Sequence, residues 1–178
     1  MSTAANTRRP APRPAKAPAP PAFYRPDSWK REDSIGYLMG RIMTLVKEAV
    51  DVELAPTGLT HAQWVPLMKV WLGEASTVAE LARETQVDVG AMTRTLDRLE
   101  MKGLVRRVRS SEDRRVVNVE LTDDGRATAK EIPAVLCRVQ NTHLRGFTHD
   151  EWQQLRTLLR RVLETSLELR EQREGNTP

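Results

Sequence analysis

The 178-residue chain has a single cysteine, Cys137, and three histidines. One thiol excludes intrachain disulfides and multi-cysteine metal sites, and a reducing cytoplasm suits such a chain best. His61, His143 and His149 are scattered, without the spacing that zinc ligation or a hydrolytic base requires. There is neither a glycine-rich phosphate loop nor a nucleophile elbow. No apolar run approaches the roughly 20 residues of a membrane span. The N-terminal basic residues Arg8, Arg9, Arg13 and Lys16 sit among alanines and prolines with no apolar stretch after them, so they do not read as a secretory signal. These absences leave no catalytic constellation, no metal and no cofactor. The chain reads as a non-enzyme without a membrane partner.

What is present is charge, unevenly spread. The formal net charge is +4, but residues 1–31 hold seven Lys/Arg against Asp27, which leaves 21 basic and 23 acidic residues on the rest. The basic isoelectric point is therefore largely the work of the N-terminal segment. A second basic cluster is local: Lys102, Arg106, Arg107, Arg109, Arg114 and Arg115 lie close in sequence, with only Glu112 and Asp113 among them. On a nearly neutral body this forms a basic patch.

Residues 1 to about 26 hold seven of the eleven prolines, which predicts a disordered or polyproline-like arm. From Ser34 the pattern turns helical. Ile35, Leu38, Met39, Ile42, Leu45, Val46 and Ala49 recur at three- and four-residue steps until Pro56 and Gly58 interrupt them. Three capping boxes mark later helix starts, at Thr60–Gln63, Thr77–Glu80 and Thr148–Glu151. Pro66 lies past the first turn of its helix and predicts a bend there. Short helices are expected over about 77–84 and 88–102, with Asp88 as N-cap of the second and Gly103 ending it. Two β-branched segments, 104–108 and 116–121, flank a charged tip and predict a hairpin. Thr122 caps a helix expected to reach about Arg145 with a kink near Pro133. A last helix is expected from about Asp150 to Glu171.

Two short helices joined by a tight turn form a helix-turn-helix, whose second helix fits the DNA major groove. Gly90, Ala91, Thr93, Arg94 and Thr95 are small, polar or cationic residues on that helix that could face DNA. Arg94 suits a bidentate contact, unless it pairs with Asp97 or another surface acid. On the hairpin tip, Arg109, Arg114 and Arg115 could enter a minor groove or grip phosphates. The apolar stripes of the first and last helices exceed what one small core needs, so a two-fold dimer is expected to cover them.

The run Asp113-Arg114-Arg115-Val116-Val117-Asn118-Val119-Glu120-Leu121-Thr122 resembles the wing signature of the MarR family of bacterial regulators. Thr93-Arg94, with Leu99-Glu100 and Lys102-Gly103-Leu104-Val105, is similar to that family's recognition helix and its exit. The resemblance extends over residues 34–171. It implies a mainly α fold with a small β-hairpin wing, a winged helix-turn-helix flanked by long dimerisation helices. The expected organisation is a disordered arm over 1–31, a MarR-type domain over 32–172 and a flexible tail over 173–178. Within the domain, a DNA-binding lobe at about 60–122 lies between dimerisation helices at about 33–55 and 123–172.

By the same resemblance the chain is a homodimeric repressor on a palindromic stretch of double-stranded DNA, released by a small aromatic carboxylate. A nonspecific architectural protein coating DNA is the alternative. Tyr37, Arg41, His61, Trp64 and Met68 fall in segments that would line an effector crevice. Arg41 equally suits pairing with Glu48 or Asp51, Trp64 a packing role beside Leu59, and Met68 the core. Cys137, after Leu136 on an apolar stretch, reads as a buried inert thiol rather than a sensor.

Overall fold

A computed structural model of the chain describes residues 21–109 and 116–175. The hairpin tip, with Arg114 and Arg115, lies outside the described residues. The chain divides after Met39 into two units, each described by itself. In the first, short 3-10 turns at Pro26–Ser28 and Arg31–Asp33 interrupt a stretch expected to be structureless as far as residue 31. There the Tyr24 hydroxyl accepts a hydrogen bond from the Ile35 amide at 3.0 Å. The Arg31 guanidinium lies 5.0 Å from the centre of the Tyr37 ring.

Helix α1 spans Ile35–Leu54, and a left-handed Gly58 after it turns the chain into α2, His61–Trp71. All three expected capping boxes form. In those of Thr77 and Thr148 the threonine hydroxyl accepts from the third helical amide, and in all three the Glu or Gln at that position turns back to accept from the cap amide, satisfying donors a helix start otherwise leaves open. Helix α3, Val78–Thr85, and helix α4, Val89–Met101, are joined through Gln86, whose backbone is left-handed at φ 56°. The Asp88 carboxylate caps α4 by accepting from the Ala91 amide at 2.8 Å. Gly103, at φ 70°, lets the chain leave α4 in the conformation that glycine adopts without a Cβ penalty.

Strands β1, Val105–Arg109, and β2, Val117–Leu121, pair antiparallel with Val105 opposite Leu121 and Arg107 opposite Val119. Ser76 and Thr77 form a short third edge beside β2: the Val119 amide donates to the Ser76 carbonyl at 2.7 Å, and Thr77 bridges to Asn118. Helix α5, Asp123–His143, takes Thr122 as its cap and carries Pro133 inside it. Helix α6 spans His149–Glu174.

One core holds the second unit together. Leu67, Leu81, Leu96, Leu99, Val105, Val119 and Ile132 are each fully buried, drawn from α2, α3, α4, both strands and α5. The buried face of α5 is Gly125, Ala129, Ile132, Val135 and Val139, at helical spacing. Cys137 falls off that stripe and is exposed in the chain, which corrects the expectation of a buried thiol. Helix α6 has no buried residue: Leu158, Leu159, Val162, Leu163, Leu167 and Leu169 all face outward. Among the described residues no helix is long and apolar enough to cross a membrane.

Candidate nucleic-acid interface

Helix α4 is amphipathic in the sense a groove-reading helix requires. Met92, Leu96 and Leu99 fix its inner side in the core, which turns Gly90, Arg94 and Met101 outward. Arg94 is exposed and has no hydrogen-bonding or ionic partner among the described residues. Its guanidinium lies back over the start of the helix, where a side chain at Gly90 would come within 3.5 Å of its Nη1. Thr93 is exposed, and its hydroxyl donates to the Val89 carbonyl at 2.8 Å. Ala91 and Thr95 are half-buried on the flank of α4. Arg98, exposed and one turn beyond Arg94, is a second cation on this helix, outside the residues expected to face DNA.

The alternative partner for Arg94 is taken by another residue. Arg107, on β1, donates from Nη1 to Asp97 at 2.6 Å and to Glu100 at 3.3 Å, and from Nη2 to the Thr93 carbonyl at 3.1 Å. Its backbone amide also donates to Glu100 at 3.1 Å. Asp97 is thus committed to the hairpin.

The basic cluster expected from the sequence is partly consumed in the same way. Arg106 holds Glu120 directly across the hairpin at 2.7 Å. The Lys102 ammonium reaches back to the Gly58 carbonyl and to the Gln63 side chain, which is buried and also caps α2. Lys102, Arg106 and Arg107 therefore hold the lobe together. Arg109, exposed at the end of β1, remains outward where the hairpin leaves the described residues. Near the root of the hairpin, the Thr122 hydroxyl donates to the Gly103 carbonyl at 2.5 Å and its amide to Leu104 at 3.1 Å, tying the end of β2 to the exit of α4.

The residues expected to line an effector crevice are not all brought together. His61 and Trp64 meet edge to face at 5.2 Å between ring centres. Met68, one turn further along α2, is buried in the core, as one of its two expected roles required. Arg41 is exposed on α1 and pairs with neither Glu48 nor Asp51. Tyr37 belongs to the first unit, beside Arg31. The side-chain atoms Asp51 Oδ1, His61 Nδ1 and Trp64 Nε1 are buried with no hydrogen-bond partner among the described residues. Burial, and secondarily Lys47, hold the His61 imidazole below its ordinary value, with Asp51 opposing. An open cleft of about 700 Å³ lies elsewhere, lined by Thr57, Gly58, Lys102 and Glu131. A second of about 400 Å³ lies at the α5–α6 turn. Neither includes Arg41, His61, Trp64 or Met68.

A helix-turn-helix closed by a two-stranded wing and set between long helices defines a winged helix-turn-helix protein. The MarR family model matches residues 59–117. The crystal structure of the reduced form of MarR from E. coli is similar at 32% identity, over 73% of this chain and 96% of that one, with a TM-score of 0.68. Another MarR crystal structure reaches 0.72 at 30% identity, over 81% and 98%. A cysteine-to-serine variant of the E. coli protein, complexed with operator DNA, matches at 32%, over 72% and 93%, with a TM-score of 0.65. The chain belongs to the MarR family of transcriptional regulators.

Proposed function

We propose that this chain is a sequence-specific repressor that binds a palindromic operator as a homodimer and lets go when a small aromatic acid binds. The observation that carries the DNA reading is Arg94: an outward guanidinium on a core-anchored helix, with Asp97, the acid three residues on, held by Arg107. Such a group can reach guanine O6 and N7 bidentately. Gly90, Ala91, Thr93 and Thr95 provide close approach around it. Arg109, Arg114 and Arg115 are the wing contacts in this reading. The similar E. coli protein, in its complex with operator DNA, supports the same use of the fold.

The dimer rests on the outward apolar faces of α6 and of Ile42 and Leu45 on α1. A second copy related by a two-fold axis would cover these faces and set two recognition helices one DNA turn apart. For the effector, Arg41 is the cation for a carboxylate, and the unpartnered polar atoms of His61 and Trp64 supply ring-edge contacts. The chemistry needs no catalytic group and the reading places the protein in the cytoplasm.

Fluorescence anisotropy on a duplex selected from a random library by the full chain, against a shuffled duplex, tests the reading. Selective binding that an aromatic carboxylate such as benzoate relieves is the expected result. Equal binding to both duplexes would mark a nonspecific coating protein. Selective binding that no aromatic acid disturbs would remove the effector and keep the regulator.

A further inference from the structure

Asp97 stands three residues after Arg94 on α4, the spacing at which side chains on one helix meet and pair. Within α4, Arg94 is the only cation three or four residues from Asp97. Left to itself, this carboxylate would take the guanidinium that the reading above assigns to DNA, and would also set a negative charge against the phosphates. Instead Asp97 faces Arg107 of β1 at 2.6 Å. The same guanidinium holds Glu100 at 3.3 Å and caps the Thr93 carbonyl at 3.1 Å, immediately before Arg94 in the chain. Arg107 is the less exposed partner, with a quarter of its side chain accessible against about half of Asp97. The fork geometry of arginine suits this three-way grip, which a lysine cannot reproduce.

We infer that Arg107 is a positioning residue for DNA reading: it sequesters Asp97 so that Arg94 stays free to contact a base. The inference rests on α4 being the DNA-reading helix. It separates two roles for one ion pair. A strut that merely holds the wing is broken by losing Arg107 whatever stands at position 97, since Glu100 and the Thr93 carbonyl lose their partner too. A sequestering contact is damaged only by losing Arg107, because without Asp97 there is nothing to sequester.

The test compares R94A, R107A, D97A and the D97A/R107A double variant of the full chain. The readout is the ratio of dissociation constants for the selected and shuffled duplexes at fixed salt. R94A and R107A are each expected to lose about tenfold or more of that ratio, the scale of one bidentate base contact. D97A alone should keep it within about threefold of the parent, and the double variant should regain most of what R107A loses. The Arg94 Nε–Hε cross-peak in NMR spectra provides a second measurement without DNA: it should shift in R107A and return in the double variant. Should R107A fail to fold, R107Q, which drops the charge but keeps a donor, carries the same comparison.

A double variant no better than R107A, or D97A losing as much as R107A, overturns sequestration in favour of a strut. R94A losing discrimination while R107A keeps it overturns sequestration and leaves the DNA reading standing. R94A without effect overturns the reading of α4 and the inference with it.

Discussion

Gly125 offers a sharp test of how the lobe is closed. It lies in the first turn of α5, and a Cβ placed on it would fall 1.9 Å from the Leu104 carbonyl oxygen and 2.9 Å from its carbonyl carbon. The obstacle is backbone, so no rotamer change relieves it. In G125A the start of α5 must retreat from Leu104 by on the order of 1 Å to restore ordinary contact. That movement pulls on the two bonds by which Thr122 holds the exit of α4, to Gly103 and Leu104. Overpacking of this kind costs about 1–3 kcal/mol, and two weakened hydrogen bonds add about 1 kcal/mol each. Alanine gives back about 1 kcal/mol through helix propensity. The net loss is about 3 kcal/mol, which for a chain of this size lowers the thermal midpoint by about 6–12 °C. Circular dichroism at 222 nm during heating measures it. A midpoint within 2 °C of the parent, or above it, would refute the close-approach argument, since propensity alone predicts a rise.

Two further outcomes follow from ionisation. The amides and hydroxyls of Ser76 and Thr77 hold the Glu80 carboxyl below its ordinary value, the Ser76 amide most of all. A carboxyl with a depressed folded value stabilises above its unfolded value, near 4.5, and that contribution fades as pH falls through the folded one. E80Q should therefore melt lower than the parent at pH 7, with the gap narrowing in acid below that point; a pH-independent gap would deny the capping charge its role. His61 is also held low, chiefly by burial, so the folded chain resists its protonation and loses stability as pH falls below 6.5. H61Q should flatten the stability profile in that window, and an unchanged slope would place the titrating group elsewhere.

The element order and the helix starts were legible because their causes are local. Each capping box spans four residues, and Asp88, Gly103 and Thr122 act within one turn of their own helix. The allocation of charge was not legible, because it depends on which elements meet. Six basic residues between 102 and 115 read as one patch, yet Lys102 serves the α1–α2 connection some forty residues upstream, at Gly58 and Gln63. Arg107 serves α4. The third strand edge joins Ser76 to Val119, a pairing no local pattern announces. Cys137 has apolar neighbours in sequence, but they do not bury it. On α5 the buried stripe passes through Val135 and Val139, and the thiol lies to one side.

The grip of Arg107 on Asp97 also bears on how such a helix can change over generations. If Asp97 is tolerable only while it is held, the two positions are not free to drift in either order. A lineage that first loses the aspartate passes through a working intermediate and can then dispense with the arginine. One that first loses the arginine must cross a form whose reading residue is captured by its own helix. Of the two routes between the same endpoints, one is open and the other closed.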